Sequence, residues 1–516
     1  MKSFRWRILP PLPLILPSLL SGVLVTLCFP VTSLGPISFL ALAPMFAAVM
    51  RYRPGRKDAF RAGFLMGSAC FVSMLWWIVK LVPTAGVTIP WLMTPALLVL
   101  VLYLSVYPAF HMLVLAALTR WRLLPFLIAA PATWALFEVA RSRGELAFPW
   151  GVVGYTLSNH PAYMQTADIA GVFGLSFAVL LVNALVAGSV SAHGPRAKAW
   201  CGLLAGLFAG GLWIYGDARV EQTRALDGPT MRVALAQPNV DLALKWRPEF
   251  KDSTFALIEK QAAQARDQGA DLIVFPETAA PIYIENSPVA KMRLKELAVG
   301  LETPFYIGFL DHRFDGPEHT LNIYNSSGLF RADGTLEKYD KRHLLPFGEA
   351  LPLGARYRWI QKINFGQANF QPGPKRSPLS EGGVNFTPLI CFESVFPDLC
   401  RDGVREGSEL FVNITNDGWF GDTPGPYQHA QMAIVRAVEF RRWLVRSANS
   451  GVSMVVAPTG EVVAEIGLYN EGILTTDVTL LSGETFYARH GETPLVLACL
   501  ALMAVAGVLA RRASTA

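Results

Sequence analysis

Charge is what this sequence holds least of. Only 16% of its 516 residues are Asp, Glu, Lys or Arg, while 52% are hydrophobic, and the mean hydropathy is +0.35. A soluble chain of this length carries more charge, so composition points to a membrane protein. Cysteine is scarce too, with six residues, and four of them (Cys28, Cys70, Cys201, Cys499) lie in apolar runs where a small hydrophobe is ordinary filler. There is no CxxC, and the eight histidines are scattered, which argues against a metal site. GxSxG, Walker and HExxH patterns are absent, so the mechanisms they carry are not expected. The net charge of +6 is modest and does not call for a nucleic-acid partner.

What is present is a series of long apolar runs. A bilayer-spanning helix needs about 20 such residues, and runs of that kind fall near 8–28, 34–50, 60–79, 91–117, 123–140, 165–191 and 199–216, with a last one at 492–510. The 34–50 run is short and contains proline. The first, after "MKSFRWR", has the look of a signal peptide, but the spans that follow favour a retained anchor. The basic segments "MKSFRWR", "RYRPGRKDAFR", "TRWR", "HGPRAKA" and the closing "RR" all fall on one side if eight spans are counted. The positive-inside rule makes that side cytoplasmic, with both termini. The expected organisation is a seven-helix transmembrane domain (1–220), an extracytoplasmic domain (221–488), and a C-terminal transmembrane helix with a cytoplasmic tail (489–516). In a bacterial cell the large domain would face the periplasm from the inner membrane. Few charges lie within the spans, Lys80 and Glu138 being near their edges, so no ion path is apparent.

The outer segment alternates strand and helix patterns. "MRVALAQPNV" (231–240) predicts a buried strand and "STFALIEKQAAQARDQGA" (253–270) an amphipathic helix closed by Gly269. "DLIVFPET" (271–278) and "PFYIGFL" (304–310) predict further strands, and "LNIYNSSGLFRADGTLEKYDK" (321–341) a hairpin with a DG turn. "FTPLICFES" and "ELFVNITND" (409–417) predict two more. "YQHAQMAIVRAVEFRRWLVRSA" (427–448) predicts one long helix. Such alternation means an α/β domain of layered sheets and helices.

Three positions at strand ends stand out: Glu277 after "LIVFP", Lys341 at the end of "TLEKYDK", and Cys391 at the end of "TPLI". Functional groups favour such loop positions on a rigid scaffold. A carboxylate could take the thiol proton, the thiolate attack a carbonyl, and the cation stabilise the oxyanion. A thiol with a pKa near ~8.5 needs that help at neutral pH. If Cys391 begins a helix, the backbone N–H of Phe392 adds an oxyanion donor. Each group also has a plain structural reading, and a Cys391–Cys400 disulfide is an alternative outside the cytoplasm. Spacing alone does not show that the three meet.

"FPET", "YDKRHLLPFGE" and "LICFES" resemble, in the same order, the Glu, Lys and Cys motifs of the nitrilase superfamily. Combined with the spans, the whole chain is similar to the bacterial apolipoprotein N-acyltransferases, including "NDGWFG", "QHAQMAIVRAVEFRR" and "RSANSG". The resemblance implies an αββα sandwich and a ping-pong acyl transfer, with Cys391 as nucleophile, Glu277 as general base and Lys341 as oxyanion stabiliser. It implies a phospholipid acyl donor, a diacylated apolipoprotein acceptor, and no metal or organic cofactor. Glu349 and Glu393 match further acids of the family, either supporting the site or forming structural ion pairs. Phe392 stands where other members can carry Tyr.

Aromatic and basic residues in "ALPLGARYRWIQKINFGQANFQ" (350–371), among them Trp359 and Phe365, suit a lipid-facing lid, as do Trp246 in "LKWRPEF" and Trp419 in "DGWFGD". Packing on the domain's own core is the alternative. The rival in chemistry is a membrane-tethered amidase of small amides, and the rival in class is a transporter or structural membrane protein.

Overall fold

The computed structural model describes residues 8–29, 34–81, 93–315, 320–352, 357, 368–375 and 378–515. The chain divides into two compact units: Met1–Val79, Trp91–Glu221 and His490–Ala516 in one, Lys80–Pro90 and Gln222–Arg489 in the other.

In the first unit the apolar runs are helices. Gly35–Tyr52, Arg56–Leu81, Met93–Thr119, Leu123–Arg141, Ala167–Ser191, Pro195–Arg224 and Thr493–Arg512 are long and apolar enough to cross a membrane, and Leu12–Leu27 is a shorter apolar helix. The proline-containing run is broken: a 3₁₀ turn (Gly35–Ile37) and a short helix (Ser38–Ala41) precede the helix Ala43–Tyr52. Proline at the first turn removes a donor there. Asn183, from the helix Ala167–Ser191, mends the break. Its Oδ1 accepts from the backbone N–H groups of Leu42 (2.7 Å) and Ala43 (3.0 Å), and its Nδ2 donates to the Ser38 carbonyl (2.7 Å). Small residues allow close helix contact: a Cβ at Gly63 would stand 2.3 Å from the Pro108 carbonyl oxygen of the facing helix. Glu138 is buried and accepts from Trp134 Nε1 and from the Val153 N–H, both at 2.8 Å.

Among the described residues the second unit contains twelve strands: β1 (Thr230–Gln237), β2 (Leu272–Val274), β3 (Phe305–Asp315), β4 (Thr320–Phe330), β5 (Leu336–Asp340), β6 (Leu379–Glu381), β7 (Val384–Ile390), β8 (Leu410–Thr415), β9 (Trp443–Ala448), β10 (Ser453–Val456), β11 (Val462–Ile466) and β12 (Gly472–Thr479). They form two six-stranded sheets, ordered β12-β1-β2-β3-β4-β5 and β11-β10-β9-β8-β7-β6. The centres are parallel (β1-β2-β3 and β7-β8-β9) and the flanks antiparallel. Strand periodicity explains the layering. Val233 and Leu235 of β1 join Leu272, Val274, Val412, Ile414 and Val445 in one core between the sheets. Ala234 and Ala236 face the other way, onto Phe255, Ile258 and Ala262 of the helix Lys251–Asp267. Helices Pro397–Arg405 and Pro424–Phe440 lie against β7 and β9 of the second sheet. The result is the expected αββα sandwich.

One expected element is corrected. The helix anticipated over 427–448 ends at Phe440, with Arg441 in the left-handed region (φ 50°), and Trp443–Ala448 is strand β9. A central strand buried on both faces has no alternation to separate it from a buried helix. The stop itself is an arginine rather than the glycine that usually marks one.

Replacing Asn183 with Leu removes the side-chain acceptor of the Leu42 and Ala43 N–H groups, of which Leu42 also reaches the Leu40 carbonyl. The unfolding midpoint of the detergent-solubilised chain should fall, reflecting a loss of about 1–3 kcal/mol per orphaned group. An unchanged midpoint would show that the break is held by other contacts.

Candidate active site

Glu277 lies three residues beyond the end of β2, at a turn that needs a close approach to β3. A Cβ at Gly308 would stand 2.7 Å from Glu277 Cα and 2.5 Å from the Thr278 nitrogen. The turn is fixed by bonds from the Gly308 N–H to the Pro276 carbonyl (3.2 Å) and from the Ala280 N–H to the Gly308 carbonyl (3.1 Å). Thr278 follows with φ 49°, a conformation that a β-branched residue adopts only under constraint. Lys341 stands one residue past β5, its N–H bonded to the Asn325 carbonyl of β4 (2.9 Å). Cys391 follows β7, has φ 54°, and opens a 3₁₀ turn, Cys391–Val395. All three therefore sit at the ends of strands, where the backbone leaves the sheet.

The fold brings these groups into one buried charge cluster. Lys341 Nζ, 1% exposed, is 4.0 Å from Glu277 Oε1 and 2.8 Å from Glu349 Oε2. Asn325 Nδ2 donates to both acids, at 2.7 Å to Glu277 and 2.9 Å to Glu349. Glu349 also accepts from the Leu345 N–H at 2.8 Å. Burial raises the Glu277 carboxyl above the usual carboxylate range, opposed by the Lys341 charge. Burial alone would lower Lys341; Glu349 first, then Cys391 and Glu277, overcome it and hold the ammonium charged. The Cys391 thiol is pushed well up, by burial and then by Glu277, with Lys341 pulling the other way. Burial thus favours the neutral form of the thiol, with an acid and a cation as its neighbours.

The turn after Cys391 is held from both sides. Glu393, fully buried, accepts from the N–H groups of Ile390 (2.8 Å), Arg342 (2.6 Å) and His343 (3.1 Å) and from the Tyr339 hydroxyl (3.0 Å). It ties the Lys341 loop to the Cys391 turn. Asn413 Nδ2 reaches the carbonyls of Leu389 (3.0 Å) and Cys391 (3.4 Å), and its Oδ1 accepts from Arg446. Arg446 pairs with Asp417 at 2.7 Å, and Asp417 Oδ1 lies 2.8 Å from His429 Nδ1. Cys391, Asp417 and His429 each offer a ligand-type atom within 4.8 Å of the others. Arg446, however, already supplies the cation there: it also lies 3.1 Å from His429 Nδ1 and holds Asp417 down to about 2 against the effect of burial. This network was not anticipated from the sequence, although "NDGWFG", "QHAQMAIVRAVEFRR" and "RSANSG" are the segments that build it.

The remaining candidates are spread out. Phe392 is buried, edge-on to Phe396 at 5.1 Å. Trp246 and Trp419 are half-exposed. Trp359 and Phe365 lie outside the described residues. Cys391 and Cys400 are both free thiols, so no disulfide joins them.

Residues 21–185 match the apolipoprotein N-acyltransferase N-terminal domain, and residues 232–486 match the carbon-nitrogen hydrolase domain. An apolipoprotein N-acyltransferase of Geobacter metallireducens is 37% identical, covering 96% of this chain and 95% of the relative. One from Shewanella oneidensis is 32% identical over 87% of each. Among solved structures, an amidase of the nitrilase superfamily from Nesterenkonia aligns at 23% identity with a TM-score of 0.39, covering 51% of this chain and 95% of that one.

Because burial raises the Cys391 thiol, its carbamidomethylation by iodoacetamide should accelerate by roughly tenfold per pH unit between pH 7 and 9. Peptide mass spectrometry reads the rate. A plateau already reached at pH 7 would mean a preformed thiolate.

Proposed function

The chain belongs to the apolipoprotein N-acyltransferase family, and we propose that it moves an acyl chain from a phospholipid to the α-amino group of a diacylglyceryl-cysteine at the N-terminus of an apolipoprotein. Relationship over nearly the full length of both chains carries this reading, and the clustering of Glu277 with Lys341 supports it. In the first half reaction Glu277 takes the Cys391 proton as sulfur attacks the ester carbonyl. The oxyanion forms beside Lys341, and we assign the Phe392 N–H as its second donor. Collapse leaves a thioester on Cys391, and the departing lysophospholipid oxygen takes the proton from Glu277. In the second half reaction Glu277 removes a proton from the acceptor's amine as nitrogen attacks the thioester. The amide forms, the C–S bond breaks, and the proton on Glu277 returns to sulfur.

Glu349 keeps Lys341 charged and in place through both steps. A membrane-embedded first unit suits a donor and an acceptor that are both held in lipid, and the family context assigns it to the inner membrane. With the amino terminus cytoplasmic, the second unit faces the periplasm. Trp246 and Trp419 are exposed and suited to meet lipid. No organic cofactor enters this scheme.

Intact-mass measurement tests it. After incubation with phospholipid the chain should gain one acyl mass that hydroxylamine removes and that never appears in Cys391→Ala. A diacylated lipopeptide added next should become triacylated. Glu277→Gln should slow both half reactions by about 10²–10⁴-fold. Persistent acylation of Cys391→Ala, or release of free fatty acid in place of triacylated product, would overturn the reading.

A further inference from the structure

A second buried ammonium lies next to the proposed base, and the scheme above does not use it. Lys245 ends a single helical turn, Leu242–Lys245, whose start is capped by Asp241 Oδ1 accepting from the Ala243 N–H at 2.7 Å. The lysine is 1% exposed, although the next residue, Trp246, is 42% exposed. Its Nζ donates to the Thr278 hydroxyl (3.0 Å) and reaches the Glu277 carbonyl oxygen (3.4 Å). Both contacts fall on the turn that presents Glu277, and one of them on the residue held at φ 49°. A buried lysine aimed at two neutral oxygens is costly as ammonium. Burial lowers it to about 7, with the Glu277 charge pulling it back.

We propose that Lys245 is a positioning residue for Glu277: it fastens the left-handed turn behind the carboxylate and adds a second positive charge that favours the ionised base. This rests on the assignment of Glu277 as the base. The charges acting on Glu277 are Lys341 and Lys245, which favour ionisation, and Glu349, which opposes it; Cys391 stands beside it as the neutral thiol. The sign follows: removing the lysine raises Glu277, so the base needs a higher pH to be ionised.

The test uses full-length protein in detergent–phospholipid micelles, measuring the single-turnover rate of thioester formation from pH 5 to 9. Lys245→Met replaces the lysine with an apolar chain of similar length, and Lys245→Arg keeps the charge. Lys245→Met should shift the acid limb upward by about one pH unit, giving up to a tenfold loss at pH 6 that is recovered in alkali. Lys245→Arg should keep the wild-type limb, whatever its maximal rate. An unmoved limb in Lys245→Met, including a uniform loss at every pH, would overturn the proposal and leave Lys245 a structural residue. If the wild-type chain itself forms no thioester, it is the proposed function that fails.

Discussion

The site depends on one buried ammonium. Lys341 and Glu277 are almost wholly removed from water, and Glu349 is partly so. An unpaired charge in such a place is very costly, while a paired and hydrogen-bonded one is tolerable. Glu349 supplies the close pair at 2.8 Å and leaves Glu277 a looser neighbour at 4.0 Å. The two acids are therefore not equivalent. One is committed to the lysine; the other is a looser neighbour whose carboxyl is raised by burial above the usual carboxylate range. Unequal environments are how two carboxyl groups acquire separate roles.

The thiol is arranged by backbone as much as by charge. Cys391 and Thr278 both take left-handed backbone angles just beyond the ends of strands. Such angles persist only when the surroundings impose them. For Cys391 they are imposed by Glu393 gathering N–H groups from two loops, and by Asn413 bonding the carbonyl of the cysteine itself. Behind Asn413 stands Arg446, a cation inside the sheet core balanced by Asp417. Two polar supports with different chemistry thus meet at one residue.

Much of this was legible in the sequence, for identifiable reasons. The apolar runs announced themselves by length, and β1 by its bounded apolar pattern. Glu277, Lys341 and Cys391 could be singled out because each follows a strong strand. β9 could not, because a strand buried on both faces reads like a buried helix and Arg441 gives no stop signal. Lys245 was passed over since a lysine beside an exposed tryptophan reads as solvated surface; only the path of the turn Leu242–Lys245 takes it inward. Arg446 and Asp417 lay in quoted motifs, yet their pairing across 29 residues depends on how β8 and β9 align.

A protonated thiol is a poor nucleophile at rest, and on the proposed function that suits a donor that is a membrane lipid. In that scheme sulfur gains nucleophilicity when an ester carbonyl sits where Lys341 can meet the developing charge and the proton passes to Glu277. The same logic governs the second half reaction. A thioester persists if the base beside it activates an amine and not water, and a buried base has water withheld from it. In the proposed scheme, burial of Glu277 and Lys341 thus does two things: it couples proton transfer to attack, and it favours transfer of the acyl chain over its hydrolysis.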